Sequence, residues 1–195
     1  MRGDAKAAPA GSPAAARAPL KTAVGLAVAA ILFALAFGIM RHAMRPPSTG
    51  MATTQSGRAK VGQRSPDFAL TRLDGSRTAL DAYQGHPLFV NFFATWCRPC
   101  KAELPDIEQR YRAGRSKGLV VLGIDQQESP ALVKAFAAPR GLTFPLAIDE
   151  GQGALRYQLR AIPTSVFIDA SGIVRAIHIG QISPQDMDAD LSEIL

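Results

Sequence analysis

At 195 residues, with 19% charged and 47% apolar side chains, the chain fits one globular domain with an apolar segment attached. Its net charge of +6 does not mark a nucleic-acid binder, because residues 1–57 hold six Lys/Arg and one acid while residues 58–195 hold 16 Lys/Arg and 15 Asp/Glu. The basic excess flanks an apolar run, which fits a lipid headgroup surface and not a DNA phosphate track.

Residues 1–21 are rich in Ala, Pro and Gly with scattered basic side chains, and too poor in large apolar groups to fold; they read as a disordered tail. Residues 22–40 (TAVGLAVAAILFALAFGIM) are uncharged and mostly apolar. At about 1.5 Å rise per residue, a helix of that length is just long enough for the roughly 30 Å hydrocarbon core. Arg17 and Lys21 precede the run and Arg41 and Arg45 follow it, so charge alone does not orient it. An uncleaved signal anchor fits its length. A cleaved signal peptide is the other reading, with Ala34-Leu35-Ala36 as a poor cleavage site inside the apolar run. Residues 41–60, rich in Pro, Ser, Thr and Gly toward the middle, read as a linker.

From Val61 to Leu195 the composition is that of a compact α/β domain. A short strand is expected over 67–70, a turn at Leu73-Asp74-Gly75-Ser76 and a return arm over 78–80. Residues 87–94 (PLFVNFFA) form a continuous apolar run, as expected of a strand buried on both faces. Helical spacing follows from Arg98 to about Arg115, with Leu104, Ile107 and Tyr111 on one face. A second buried strand is predicted over 119–125, and Ser129-Pro130 starts a helix ending near Ala138. Residues 145–149 suggest a short strand and 152–158 a short helix. Strands over 164–169 and 173–179 form a hairpin through Ala170-Ser171-Gly172, and Ser183-Pro184 opens the last helix. This order calls for a mixed sheet with helices on both faces.

The chain has two cysteines, Cys97 and Cys100. A disulfide scaffold would need more, spread along the chain. Two sulfurs cannot make a four-ligand zinc site, and His42, His86 and His178 form no metal-spaced pair. The count points to redox chemistry. Cys97-Arg98-Pro99-Cys100 sits where a buried strand gives way to a helix. A two-residue spacer on a first helical turn lets the sulfurs close a disulfide with little rearrangement. The helix N-terminus and Arg98 favour thiolate over thiol, and Pro99 lacks an N–H that the first turn would leave unused. Cys97, nearer the open end, should attack; Cys100, one turn inside, should resolve the mixed disulfide. Glu103, three residues beyond Cys100, stacks near that sulfur on a helix. It could move the resolving thiol's proton, or be a solvated helix glutamate. Trp96 is either core filling or a rim residue beside the sulfurs. Ile162-Pro163 precedes a strand; the sequence alone favours a trans peptide, since most X–Pro bonds are trans.

Taken together, FVNFFATWCRPCKAELP, LVVLGID and IPTSVFIDASGIV resemble the TlpA/ResA-like (DsbE/CcmG-type) family of membrane-anchored thioredoxins, over roughly Val61 to Leu195. The resemblance implies a thioredoxin fold with an added N-terminal β-hairpin, preceded by one transmembrane helix. It implies a single-pass protein of the cytoplasmic membrane whose domain faces the periplasm or cell exterior. Cys97 attacks, Cys100 resolves, Pro163 is cis beside the disulfide, and Glu103 matches the family's active-site glutamate. Trp96, Arg98, Pro99, Ile162 and Pro163 become the candidate substrate contacts. Asn91 stands six residues before Cys97, where cytosolic thioredoxins carry a buried acid, which fits the extracytoplasmic branch. No cofactor is implied beyond the Cys97–Cys100 disulfide. The implied partners are a disulfide-containing protein, such as apocytochrome c or a copper-assembly protein, and a DsbD/CcdA-type membrane electron donor. Arg98 departs from the acidic residue of some cytochrome-maturation members. Two rival readings compete. PDFAL and LDGS also open peroxiredoxins, but the threonine three residues before their peroxidatic cysteine is Ala94 here. A Cu(I)-binding assembly factor would use both sulfurs, yet no Met or His lies between Phe89 and Glu108.

Overall fold

The computed structural model describes residues 57–195. The predicted tail, anchor and most of the linker lie outside the described residues, and among those described no helix is long and apolar enough to cross a membrane. Seven strands form one mixed sheet: β1 (Ala69–Arg72), β2 (Arg77–Ala79), β3 (Leu88–Phe93), β4 (Val120–Gln126), β5 (Leu146–Asp149), β6 (Thr164–Ile168) and β7 (Val174–Ile179), in the order β2-β1-β5-β4-β3-β6-β7. The α-helices are α1 (Arg98–Gly114), α2 (Pro130–Ala137), α3 (Gln152–Arg156) and α4 (Pro184–Ile194).

The apolar run over 87–94 becomes β3, the middle of the sheet. All six of its residues are buried, and it pairs parallel to β4 and antiparallel to β6. Side chains alternate faces along a strand. Phe89 and Phe93 therefore point to one layer with Leu104 and Ile107 of α1, Val133 of α2 and Met187 and Leu191 of α4. Leu88, Val90 and Phe92 point to the other layer, with Phe68, Leu80 and Tyr157. Asn91 shares the period of Phe89 and Phe93, so it faces α1.

The hairpin β1–β2 lies at one edge of the sheet and joins it through an antiparallel pairing of β1 with β5. β1 runs two residues later than expected. Asp67 is not in the strand; its Oδ1 accepts the N–H of Asp81 at 2.9 Å, which ties the chain to the 3-10 turn Leu80–Tyr83. The turn at 73–76 stands as read: Asp74 Oδ1 accepts the Ser76 N–H at 2.8 Å, and Gly75 takes a positive φ of 85°. Ala59 is already buried, and its N–H donates to the Arg156 carbonyl at 2.9 Å.

Candidate functional site

The site begins where β3 ends. The Cys97 N–H donates to the Ala94 carbonyl at 3.1 Å, closing a turn through Thr95 and Trp96. Cys97 is then the N-cap of α1, with Pro99 in the first turn. Its Sγ accepts the Cys100 N–H at 3.2 Å, the bond a serine or aspartate cap would take. This aims an unpaired end of the helix at sulfur, an arrangement that favours negative charge there. The two cysteines form a disulfide with Cα atoms 5.3 Å apart. Cys97 keeps 4% exposure and Cys100 none, so only the first sulfur is open to a partner.

Each predicted site residue has a definite place. Trp96 is 69% exposed, so it stands on the rim and does not fill the core. Arg98 and Pro99 are exposed on the first turn of α1. The Ile162–Pro163 peptide is cis, as the resemblance implied and against the frequency argument from sequence alone. Thr164 pairs with Phe92, so Pro163 comes at the end of the sheet where β3 turns into the cysteine loop. Ile162 is half-buried and packs against the cluster that contains both cysteines.

Glu103 is not a solvated helix residue. It is 1% exposed, one turn after Cys100 on the face of α1 that meets the sheet. Its Oε1 accepts from Asn91 Nδ2 at 2.8 Å and its Oε2 from the Ile182 N–H at 3.1 Å. Burial pushes its pKa up to about 7, although the Ile182 and Asn91 bonds pull the other way. Asn91 Nδ2 also donates to Ser165 Oγ at 3.1 Å, while its Oδ1 is buried without a donor among the described residues. Rotating this amide by half a turn would offer Oδ1 to a protonated Glu103 and to the Ser165 hydroxyl. Asn91 can therefore serve the carboxyl in either protonation state.

Asn91, Ser165 and the Ile182 amide were not read as site residues. Asn91 had a signal, a polar residue inside an apolar strand. Ser165 sits opposite Asn91 only because β6 pairs with β3. The Ile182 amide lies in the loop before α4.

A model of the AhpC/TSA family matches residues 61–177. The chain belongs to the AhpC/TSA family. Thiol-disulfide oxidoreductase ResA of Geobacillus kaustophilus is 35% identical to it over 142 residues, 72% of this chain and 82% of that one. The thioredoxin-like protein YneN of Bacillus subtilis is 34% identical over 133 residues, 67% of this chain and 78% of the relative. A thiol:disulfide interchange protein of the thioredoxin family from Chlorobium tepidum shares the fold with a TM-score of 0.62 and 30% identity, across 69% of this chain and 97% of its own. This AhpC/TSA member is thus a thioredoxin-fold, ResA-like thiol–disulfide oxidoreductase, an assignment that agrees with its paired cysteines.

Proposed function

We propose that this protein is a membrane-anchored, extracytoplasmic reductase of protein disulfides, with residues 22–40 as the anchor and Cys97, Cys100 and Glu103 as the reacting groups. The observation that carries the assignment of roles is the buried carboxyl one helical turn from a fully buried sulfur. In the reduced protein the Cys97 thiolate attacks a substrate S–S bond. A Cys97–substrate disulfide forms and one substrate sulfur leaves as thiolate. Cys100 then gives its proton to Glu103 and attacks Cys97 Sγ, releasing the second substrate thiolate. Two electrons pass to the substrate, and the Cys97–Cys100 disulfide seen here is the oxidised product. A buried thiol resists ionisation, so the second attack needs a base; a carboxyl with a pKa about 7 is matched to that task.

Trp96, Arg98 and Pro99 form the exposed rim a substrate polypeptide would meet, and the half-buried Ile162 and buried Pro163 complete the candidate contacts. The substrate class we favour is a protein dithiol that must stay reduced outside the cytoplasm, as in cytochrome c maturation or copper-site assembly. A DsbD/CcdA-type transporter would return the electrons. The basic-flanked apolar run and the ResA-like relatives support this reading. Trapping tests it. Cys100→Ser removes the resolving thiol, so the substrate should stay disulfide-linked to Cys97. Recovery of apocytochrome c or a copper-assembly protein supports the reading, and recovery of only cytoplasmic proteins contradicts it.

A further inference from the structure

A second pair of acids, held against Thr95 at the start of the cysteine loop, is not used by the mechanism above. Asp125 ends the buried part of β4 and is fully buried; Glu128 follows in the loop before α2 and is half-buried. Glu128 grips Thr95 with both oxygens: Oε2 accepts the Thr95 N–H at 2.5 Å and Oε1 the Thr95 hydroxyl at 2.8 Å. Thr95 is the residue between the end of β3 and Trp96-Cys97. Asp125 in turn fixes Glu128, accepting its N–H on Oδ1 at 2.9 Å. The Glu128 carboxyl is its neighbour, and Asp125 Oδ2 is buried with no hydrogen-bond partner among the described residues. A buried carboxyl oxygen that no donor reaches, beside a second carboxyl, favours the protonated form, and one proton can serve both groups.

We propose that Asp125 and Glu128 are positioning residues that share a proton, hold the Thr95-Trp96-Cys97 turn in its reactive geometry, and release it when that proton is lost. With the proton in place, Asp125 donates to an ionised Glu128, whose other lone pairs take Thr95. When it leaves, two carboxylates stand in contact. Asp125 has nowhere to go, whereas Glu128 can swing to solvent, and Thr95 then loses both of its bonds. Burial, and then the bond to Glu128, push the Asp125 pKa up to about 7. Glu128 is held down, against burial, first by the Thr95 N–H. The release therefore comes as pH rises through neutrality.

No neighbouring charge removes the conflict. Among the described residues neither carboxyl makes an ion pair with Lys or Arg. β3 carries no charged residue, and the first turn of α1 offers the exposed Arg98 and the half-buried Lys101, neither ion-paired with these acids, besides the buried Glu103. β5 offers Asp149, which is committed to the N–H groups of Gly151, Gly153 and Ala154. α2 offers Lys134, a full turn inside that helix.

The inference rests on Cys97 being the reacting sulfur, but its test does not need turnover. Trp96 is the single tryptophan of the chain and sits beside Thr95. Its fluorescence is to be titrated in the oxidised full-length protein carrying Glu103→Gln, where neither the cysteines nor Glu103 can contribute. A transition between pH 6 and 8 is expected. Asp125→Asn on that background should abolish it and keep the low-pH signal throughout, because the amide donates to Glu128 at every pH. Glu128→Ala, which leaves Thr95 without either side-chain bond, should abolish it at the high-pH signal, and it decides alone if the Asn variant does not fold. In parallel, disulfide reduction by dithiothreitol, corrected for thiolate concentration, should slow above pH 7 in the parent and stay flat in Asp125→Asn. No transition in the parent, or one that survives both substitutions, overturns the proposal.

Discussion

Replacing Glu103 by Gln removes a carboxyl whose ionised form the fold disfavours, and its effect on stability can be worked out with a sign. Burial raises the folded-state pKa from 4.5 to about 7. An acid whose pKa is raised on folding costs nothing while both states are protonated, below the unfolded value. As pH rises from 4.5, the unfolded state ionises and the folded state does not, so wild-type stability falls until about pH 7 and then levels off. A difference of about 2.5 pKa units corresponds to about 3 kcal/mol. Gln does not ionise. Its amide can also be accommodated, because Asn91 can rotate to present the unpartnered Oδ1 while the Gln oxygen keeps the Ile182 N–H. The variant should therefore match wild type near pH 4 and exceed it by about 3 kcal/mol at pH 8. Urea unfolding of both oxidised proteins at pH 4, 6 and 8 reads the difference directly. A gap that is flat with pH, or that favours wild type at pH 8, would refute the claim that Glu103 is held at a desolvation cost.

Two further outcomes follow from the same geometry. Alkylation of Cys97 against pH in a Cys100→Ser variant should show a midpoint below the roughly 8.5 of a free thiol, because the sulfur caps α1; a midpoint at or above that value would show that the helix end gives no such help. A topology reporter fused after Leu195 should be active outside the cytoplasm, if residues 22–40 anchor the chain as proposed; activity only inside would remove the anchor from the account.

The strands and the cysteine turn were legible because each is a local pattern. The apolar run at 88–93 has only one use in an α/β domain, as a strand covered on both faces. Ser129-Pro130 and Ser183-Pro184 do start helices, each serine accepting an N–H from its own first turn, Leu132 at 3.3 Å and Asp186 at 3.1 Å. What could not be read was who meets whom across the sheet. Glu103 could be placed one turn from Cys100 by counting, yet its burial depends on Asn91 from β3 and on the Ile182 amide, 79 residues further on. Those meet only when β6 docks beside β3. The same limit applies to Thr95 and Glu128, which are 33 residues apart and joined by the pairing of β3 with β4. Trp96 was ambiguous because size and apolarity do not distinguish a core residue from a rim residue. β1 was misplaced by two residues because Asp67 bonds to the backbone ahead of the strand, a contact that strand propensity does not register.

The account turns on a proton passing from Cys100 to Glu103 during reduction of a substrate disulfide. The direct measurement is the rate at which the reduced protein reduces a model protein disulfide, followed from pH 5 to 9 for wild type and Glu103→Gln. Wild type should rise through the Glu103 pKa of about 7. Glu103→Gln should be slower at neutral pH by roughly ten- to a thousand-fold and should lose that inflection, recovering only where Cys100 ionises unaided. Equal rates for the two proteins between pH 6 and 8 would contradict the assignment and leave Glu103 a buried structural acid.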